Sequence, residues 1–287
     1  MKQWKLKLVY PVFAVICLVF GIYFLALQFE TVDTAPVIHS PEEACRISVR
    51  NMSDETLLQG VTATDKEDGD LTGKLMVESV SKFYESGRCR VTYVVVDSAN
   101  HVTKYVRDVE FADYTAPRFS LSAPLVFSSA LRFVASDLVQ VEDCLDGDIS
   151  DSVKMTLPDA NVSIYSEGTW PVNFRVANSK ADTVSITADV TVLSPEEYAA
   201  WHRGPQIGLS DWLVYVPRGA SFDPMDYVTG VTYGSQELSA DEAAVYISVK
   251  DEPDTLHDGV YTVRYEYEGE NGEEGWTQLV VVVGEGV

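Results

Sequence analysis

The chain has 287 residues, room for two or three domains of ordinary size. Its 44 acidic residues outnumber 21 basic ones for a formal charge of −23, which excludes a nucleic-acid surface, because phosphate binding needs clustered Lys and Arg. With 46 % hydrophobic and 11 % aromatic residues it is too apolar to be a disordered acidic tail, and the charge reads as a solvated, self-repelling surface over real cores.

The first element in chain order is LVYPVFAVICLVFGIYFLAL, residues 8–27, a run of 20 residues without a charge. At about 1.5 Å per residue such a helix crosses a hydrocarbon core of about 30 Å, which predicts a transmembrane anchor over 8–28. Lys2, Lys5 and Lys7 precede it and the next basic residue is Arg46, so the positive-inside rule places residues 1–7 in the cytoplasm and the C-terminal domains outside the cell. The run exceeds the roughly 7–15 apolar residues of a cleaved signal peptide, and no A-x-A site follows it. Cys17 reads as a membrane-buried thiol.

Beyond it the chain repeats. Thr34-Ala35-Pro36 returns as Thr115-Ala116-Pro117, and Gly87 of YESGRCRVTY returns as Gly168 of YSEGTWPVNF, both offset by 81. The turn Asp68-Gly69-Asp70-Leu71 returns as Asp146-Gly147-Asp148-Ile149, offset by 78. A third copy opens at Gly204-Pro205, keeps Gly230-Val231-Thr232 as an echo of Gly60-Val61-Thr62, and has no acidic turn. Periods of this length are too long for a solenoid, so each copy is expected to form its own core.

Alternation at period two assigns the faces of the strand after each glycine turn. Cys89, Val91, Tyr93 and Val95 face inward in the first copy, Trp170, Val172, Phe174 and Val176 in the second, and Tyr261, Val263, Tyr265 and Tyr267 in the third. Each strand runs into a turn cluster and a further β-rich run, giving a C-terminal hairpin per copy. Many short strands with regular turn signals make the fold class all-β, built of sandwiches. One stretch outside the anchor looks helical: Ser194, Pro195 and Glu197 have N-cap, N1 proline and capping-box spacing, and Gly204-Pro205 ends the run. The expected organisation is three sandwich domains at 34–113, 114–193 and 205–287, with a short helical linker at 194–204.

GVTATDKEDGDLTGKL followed by YESGRCRVTYVVVDSANHVTK resembles the bacterial Ig-like repeats of Gram-positive surface proteins and of a pesticidal crystal toxin. The likeness covers the first copy well and the second through VEDCLDGDISDSV and the Gly168 strand. The third copy departs from it by losing the acidic turn. The resemblance implies three tandem Ig-like β-sandwich domains displayed outside the cell, and no particular activity.

Three constellations are candidate sites. Asp65, Glu67, Asp68 and Asp70, with Glu142, Asp143, Asp146 and Asp148 in the second copy, offer the hard oxygen ligands that calcium prefers. Against metal, the twelfth position counted from Asp65 is Met76 where an EF-hand has Glu, and Asp with Gly also builds turns through local hydrogen bonds. Cys45 alternates onto the same face as Ile47, and Cys89 holds the slot that Trp170 and Tyr261 fill elsewhere. A disulfide between them would compensate the lost bulk, and two buried free thiols are the other reading. Cys144 is left without a partner. Trp201, Trp212, Tyr215, Tyr227 and Tyr233 crowd the start of the third copy, either as packing around the linker helix or as a surface for a protein or a cell-wall glycan.

Catalysis is not expected. There is no G-x-S-x-G, H-E-x-x-H, Walker loop or Rossmann glycine pattern, and His39, His101, His202 and His257 are scattered, without metal-ligand spacing. No cofactor is expected unless calcium sits at the acidic turns. The sequence predicts a non-catalytic, membrane-anchored surface protein whose Ig-like rod serves as spacer, scaffold or adhesion module, the alternative being a ligand-binding module for calcium or a glycan.

Overall fold

The computed structural model describes residues 2–28, 34–40, 45–131, 134, 137–157, 163 and 165–284, with only the backbone course given for 2–9 and 26–28. Helix α1 covers Lys2–Gln28. Among the described residues no helix is long and apolar enough to cross a membrane. This overturns the expected transmembrane anchor over 8–28. The single-pass localisation, with a cytoplasmic N-terminus and extracellular C-terminal domains, falls with it.

Beyond α1 the chain is mostly β-structure, in three similar sandwich-like units. By packing, it divides into two compact bodies: one of Met1–Ile47, Asn51–Ser81 and Cys89–Glu110, the other of Ser48–Arg50, Lys82–Arg88 and Phe111–Val287.

The first body is built from β1 (Val37–His39), β2 (Cys45–Ile47), helix α2 (Asp54–Leu58), β3 (Thr62–Asp65), β4 (Gly69–Asp70), β5 (Met76–Val80), β6 (Arg88–Val96) and β7 (Val102–Phe111). A three-stranded sheet β1-β3-β4 faces a four-stranded sheet β2-β7-β6-β5. The alternating strand β6 fills the space between them: Cys89, Val91, Tyr93 and Val95 are all fully buried. Tyr93 satisfies its phenol by donating to Leu57 O of α2 at 2.7 Å, which ties the helix over the core.

The second body repeats that plan twice. Its first sandwich has β8 (Arg118–Leu121), β9 (Val126–Ser128), β10 (Val139–Asp143), β11 (Gly147–Asp148), β12 (Lys154–Thr156), β13 (Gly168–Ala177) and β14 (Thr183–Leu193). Its sheets are β8-β10-β11 and β9-β14-β13-β12. Helix α3 (Pro195–Arg203) leads to the second sandwich, with β15 (Gln206–Leu209), β16 (Leu213–Pro217), β17 (Val228–Tyr233), β18 (Gln236–Ser239), helix α4 (Ala240–Ala243), β19 (Ile247–Lys250), β20 (Gly259–Glu268) and β21 (Glu274–Gly284). Its sheets are β15-β17-β18 and β16-β21-β20-β19. In both sandwiches a short edge strand pairs parallel with the last long strand, β9 with β14 and β16 with β21.

Each sandwich of this body has its own cluster of buried residues, and the two clusters meet. Leu213 and Val280 belong to the cluster around Phe119, Phe174 and Val190, and Trp212 packs on both clusters. The cause is β21, which is buried on both faces. Leu279, Val281 and Val283 point into the core of the last sandwich and Val280 into the preceding one. The run Gln278-Leu279-Val280-Val281-Val282-Val283 has lost the polar alternation of a half-exposed strand, which is the sequence mark of two-sided burial.

Candidate binding groove

The two acidic turns have the same wiring. Asp65 Oδ1 accepts from the amides of Glu67 and Asp68, both at 2.8 Å, and Asp143 Oδ1 accepts from Leu145 and Asp146 at 2.9 and 3.0 Å. Asp68 takes the amide and hydroxyl of Ser98 at 2.6 and 2.7 Å, and Asp146 takes those of Ser179 at the same distances. Asp70 accepts from the Thr72 amide at 2.9 Å, and Asp148 from the Ser150 amide at 3.0 Å. The hydroxyls of Thr72 and Ser150 in turn accept from Ala63 N and Val141 N, at 3.1 and 2.9 Å. Gly69 and Gly147 sit at φ +77° and +72°, which is why the residue between the paired aspartates is glycine.

The carboxylates are thus spent on backbone amides and on the serine of the hairpin turn after β6 or β13, a clamp between the two sheets of one sandwich. Glu67 accepts from the Thr34 hydroxyl at 2.8 Å, and Glu142 lies exposed on β10. Among the described residues no group of three His, Cys, Asp or Glu could hold a metal ion. The hydrogen bonds from the serines hold Asp68 and Asp148 below the ordinary carboxyl range, Asp148 through Ser150 and Asp68 through Ser98, and Thr72 does the same for Asp70. Ser98 and Ser179 were legible as partners only through their shared offset of 81.

Cys17, Cys45 and Cys144 are free thiols in the structure; Cys45 is half-buried and Cys89 buried. The expected Cys45–Cys89 disulfide is not made. Strand β7 lies between β2 and β6, so the two cysteines are about 9–10 Å apart across two strand spacings, beyond the roughly 7 Å that a disulfide spans. Cys144 donates to Thr115 O at 3.1 Å.

The second body carries a groove of about 870 Å³, within the range of ligand sites. Pro124, Val126 and Phe127 come from around β9, Leu131, Val134, Asp137 and Leu138 from the stretch before β10, and Tyr198, Trp201 and His202 from α3; the sheet β15-β17-β18 lines it together with Trp212, Glu242 of α4, Trp276 and Thr277. Helix α3 forms because Ser194 and Glu197 cap each other reciprocally and Pro195 occupies the first turn. Its end is fastened by Trp201 Nε1 donating to Trp276 O at 2.8 Å and by Gln206 Nε2 donating to Trp201 O at 2.6 Å.

The result is a string of rings, with Tyr198 and Trp276 each 5.8 Å from Trp201 and His202 4.9 Å from it. The sheet side is shaped by a bulge where β15 meets β17 between Gly208 and Leu209. There Gly230 has φ +150°, and a Cβ on it would lie 2.4 Å from Leu238 O, so only glycine lets β17 and β18 meet at that point. Asp137, Glu237 and Glu242 add carboxylates, and the described lining holds no Lys or Arg. Glu242 caps α4 through the Ser239 amide and hydroxyl at 2.9 and 2.7 Å, which hold its carboxyl below the ordinary range.

Of the five aromatic residues singled out from sequence, Trp201 and Trp212 line the groove. Tyr215 lies instead between the sandwiches of the second body. Its hydroxyl accepts from Phe119 N at 2.9 Å, Arg118 sits 4.5 Å over its ring, and burial pushes its phenol up. Tyr227 stacks on Phe222 at 5.5 Å against the last core, and Tyr233 is 40 % exposed at the end of β17. Sequence reasoning missed Thr277, Tyr198 and Trp276 as lining residues, because nothing local marks which side of a strand or helix meets another sandwich.

No family model matches the chain, and no curated protein does. Solved structures similar to it are β-rich. CBM51-2 in complex with GlcNAc and INT domains from Clostridium perfringens ZmpB is 17 % identical, with 86 % of this chain and 41 % of that chain covered and a TM-score of 0.23. Mouse cadherin-23 EC22-24 is 13 % identical, with 88 % and 100 % covered and a TM-score of 0.20. The Bacteroides ovatus glucan-utilisation protein SGBP-B with a mixed-linkage heptasaccharide is 14 % identical, with 89 % and 72 % covered and a TM-score of 0.20. The chain spans less than half the length of the ZmpB chain. Scores this low carry no function across, so a functional reading has to rest on the residues of this chain alone.

Proposed function

We propose that this chain is a non-catalytic binding module of tandem Ig-like sandwiches, an adhesion or attachment protein whose partner is held in the groove of the second body. The observation that supports the reading is the groove itself: about 870 Å³ walled by Trp201, Trp212, Trp276, Tyr198 and Phe127 on structural elements fixed by caps and sheet pairing. Aromatic walls with a few polar groups on a rigid frame are how binding sites gain contact area without ordering flexible side chains. The acidic turns, by contrast, direct most of their carboxylate oxygens to amides and hydroxyls of the same sandwich.

The test is ligand titration of the full chain followed by intrinsic tryptophan fluorescence, with a panel of tetrasaccharides, a proline decapeptide and an acidic oligosaccharide. Saturable changes with one ligand that disappear in Trp201→Ala and Trp212→Ala are expected. A flat response to the whole panel, or binding that survives both substitutions, would remove the groove as the contact site.

A further inference from the structure

We infer that the outer face of the four-stranded sheet in the first body is a self-association surface, independent of the groove, on which a second copy of this chain seats the same face. On β5, β6 and β7 the side chains that point away from the core include Met76, Val94, Val96, Val102 and Val106. Met76, Val102 and Val106 are 57, 56 and 52 % exposed, and Met76 stands directly opposite Val94 across the ladder of β5 and β6. Single exposed valines are ordinary, whereas five apolar side chains on one face of adjacent strands make a patch. The other two sandwiches show how this chain treats that face. In the last one its apolar members, Val260, Val280 and Val282, pack on the preceding sandwich. In the middle one the same face of β13 and β14 carries Thr169, Asn173, Arg175, Ser185 and Thr187 and stands mostly in solvent. Where the face is apolar and covered, a sandwich of this same kind covers it.

Charge narrows the occupant to a second copy. With 44 acidic against 21 basic residues, two copies of this chain repel each other as wholes, so they can meet only where the surface is locally balanced. This face is balanced. The charged groups that the first body places on it come in opposite pairs: Arg46 with Glu110 at 2.7 Å, Arg90 with Asp108 at 3.5 Å, and Lys104 with Glu78. A strongly acidic or basic partner gains nothing from a neutral face. A copy related by a two-fold axis brings the opposite sign for every group, which is the condition for a self-complementary contact. Four strands about 4.8 Å apart and about 30 Å long present roughly 500 Å² per partner, the size of a weak, reversible dimer.

The experiment is sedimentation equilibrium of the full chain over a wide range of concentration and salt. A monomer–dimer equilibrium is expected, and it should tighten with salt, because screening weakens the repulsion between two chains of charge −23 while the apolar contact is unaffected. The double variant Val102→Thr, Val106→Thr keeps the β-branched shape, so Tm should hold while dimerisation weakens roughly tenfold. Charge exchange gives a second readout. Lys104→Glu makes the face acidic and Glu78→Lys makes it basic, so each variant alone should dimerise more weakly than wild type, and an equimolar mixture of the two should restore association. A monomer at every concentration would overturn the surface. Dimerisation unchanged in the double variant would overturn it as well by placing the contact elsewhere on the chain, and a mixture no tighter than its components would show that the two faces do not meet.

Discussion

Asp143 is the residue on which the second acidic turn depends. It is 2 % exposed, takes two backbone amides on Oδ1, and receives Asn178 Nδ2 on Oδ2 at 3.1 Å. Asp143→Ala leaves those buried donors unpaired, so a loss of about 1–3 kcal/mol is expected in denaturant unfolding. Since the carboxylates of both turns already face amides and hydroxyls, neither calcium addition nor chelation should move the wild-type Tm; a rise with millimolar calcium would restore the metal reading. Acid should do what chelators do not. Asp68, Asp70 and Asp148 are held below the ordinary 3.8, so the stability they lend is complete above that value and is withdrawn as pH falls through their folded-state values. Melting curves should plateau at neutral pH and fall steeply below about pH 4, with a shallower fall in Asp148→Asn. Much of this was legible in the sequence, because a spacing of Asp, Gly, Asp and a hydroxyl residue recurs at one offset. What was not legible was the direction of each carboxylate: the residue types that make a calcium loop also make an Asx turn, and only the geometry separates them.

At the scale of the element, the strand that repeats after Gly87, Gly168 and Gly259 was readable because alternation is local. Its core positions are buried as the period demands, Val91 and Tyr93 in the first copy, Val172 and Phe174 in the second, Val263 and Tyr265 in the third. Alternation gives a face, however, and not a neighbour. That is why Cys45 and Cys89 could share a face and still be separated by β7. Capping is equally local, and α3 begins at the residue its spacing indicates. Ser194→Ala removes the N-terminal half of the reciprocal cap and should cost about 1 kcal/mol, read as a loss of Tm accompanied by a change in tryptophan emission, since Trp201 rides on that helix. Gly230 is the opposite case, a position whose need no local pattern shows. With φ +150° and Leu238 O at 2.4 Å from an added Cβ, Gly230→Ala should destabilise by about 1–3 kcal/mol through strain alone. Its groove would also change shape, so ligand affinity should fall along with stability.

For the molecule as a whole, the decisive feature is that β21 serves two sandwiches. Independent domains would let a defect in one leave its neighbour untouched; a shared strand does not. Val280 is 1 % exposed in the cluster of the preceding sandwich although it belongs to the last strand of the following one, and Gln278 and Tyr215 add hydrogen bonds across the same contact. Val280→Ala removes two methyl groups and leaves a cavity, an expected cost of about 2–3 kcal/mol. In a body unfolding as one unit that loss appears in every segment whose exchange requires global opening. Hydrogen exchange should therefore show peptides of β13 and of β20 losing protection by the same factor, with a single calorimetric transition for residues 111–287. If protection falls in β20 and β21 while β13 stays unchanged, the sandwiches open separately. The groove framed by β9, α3 and β15-β17-β18 would then be held together by α3 alone, and ligand should protect α3 without protecting β13.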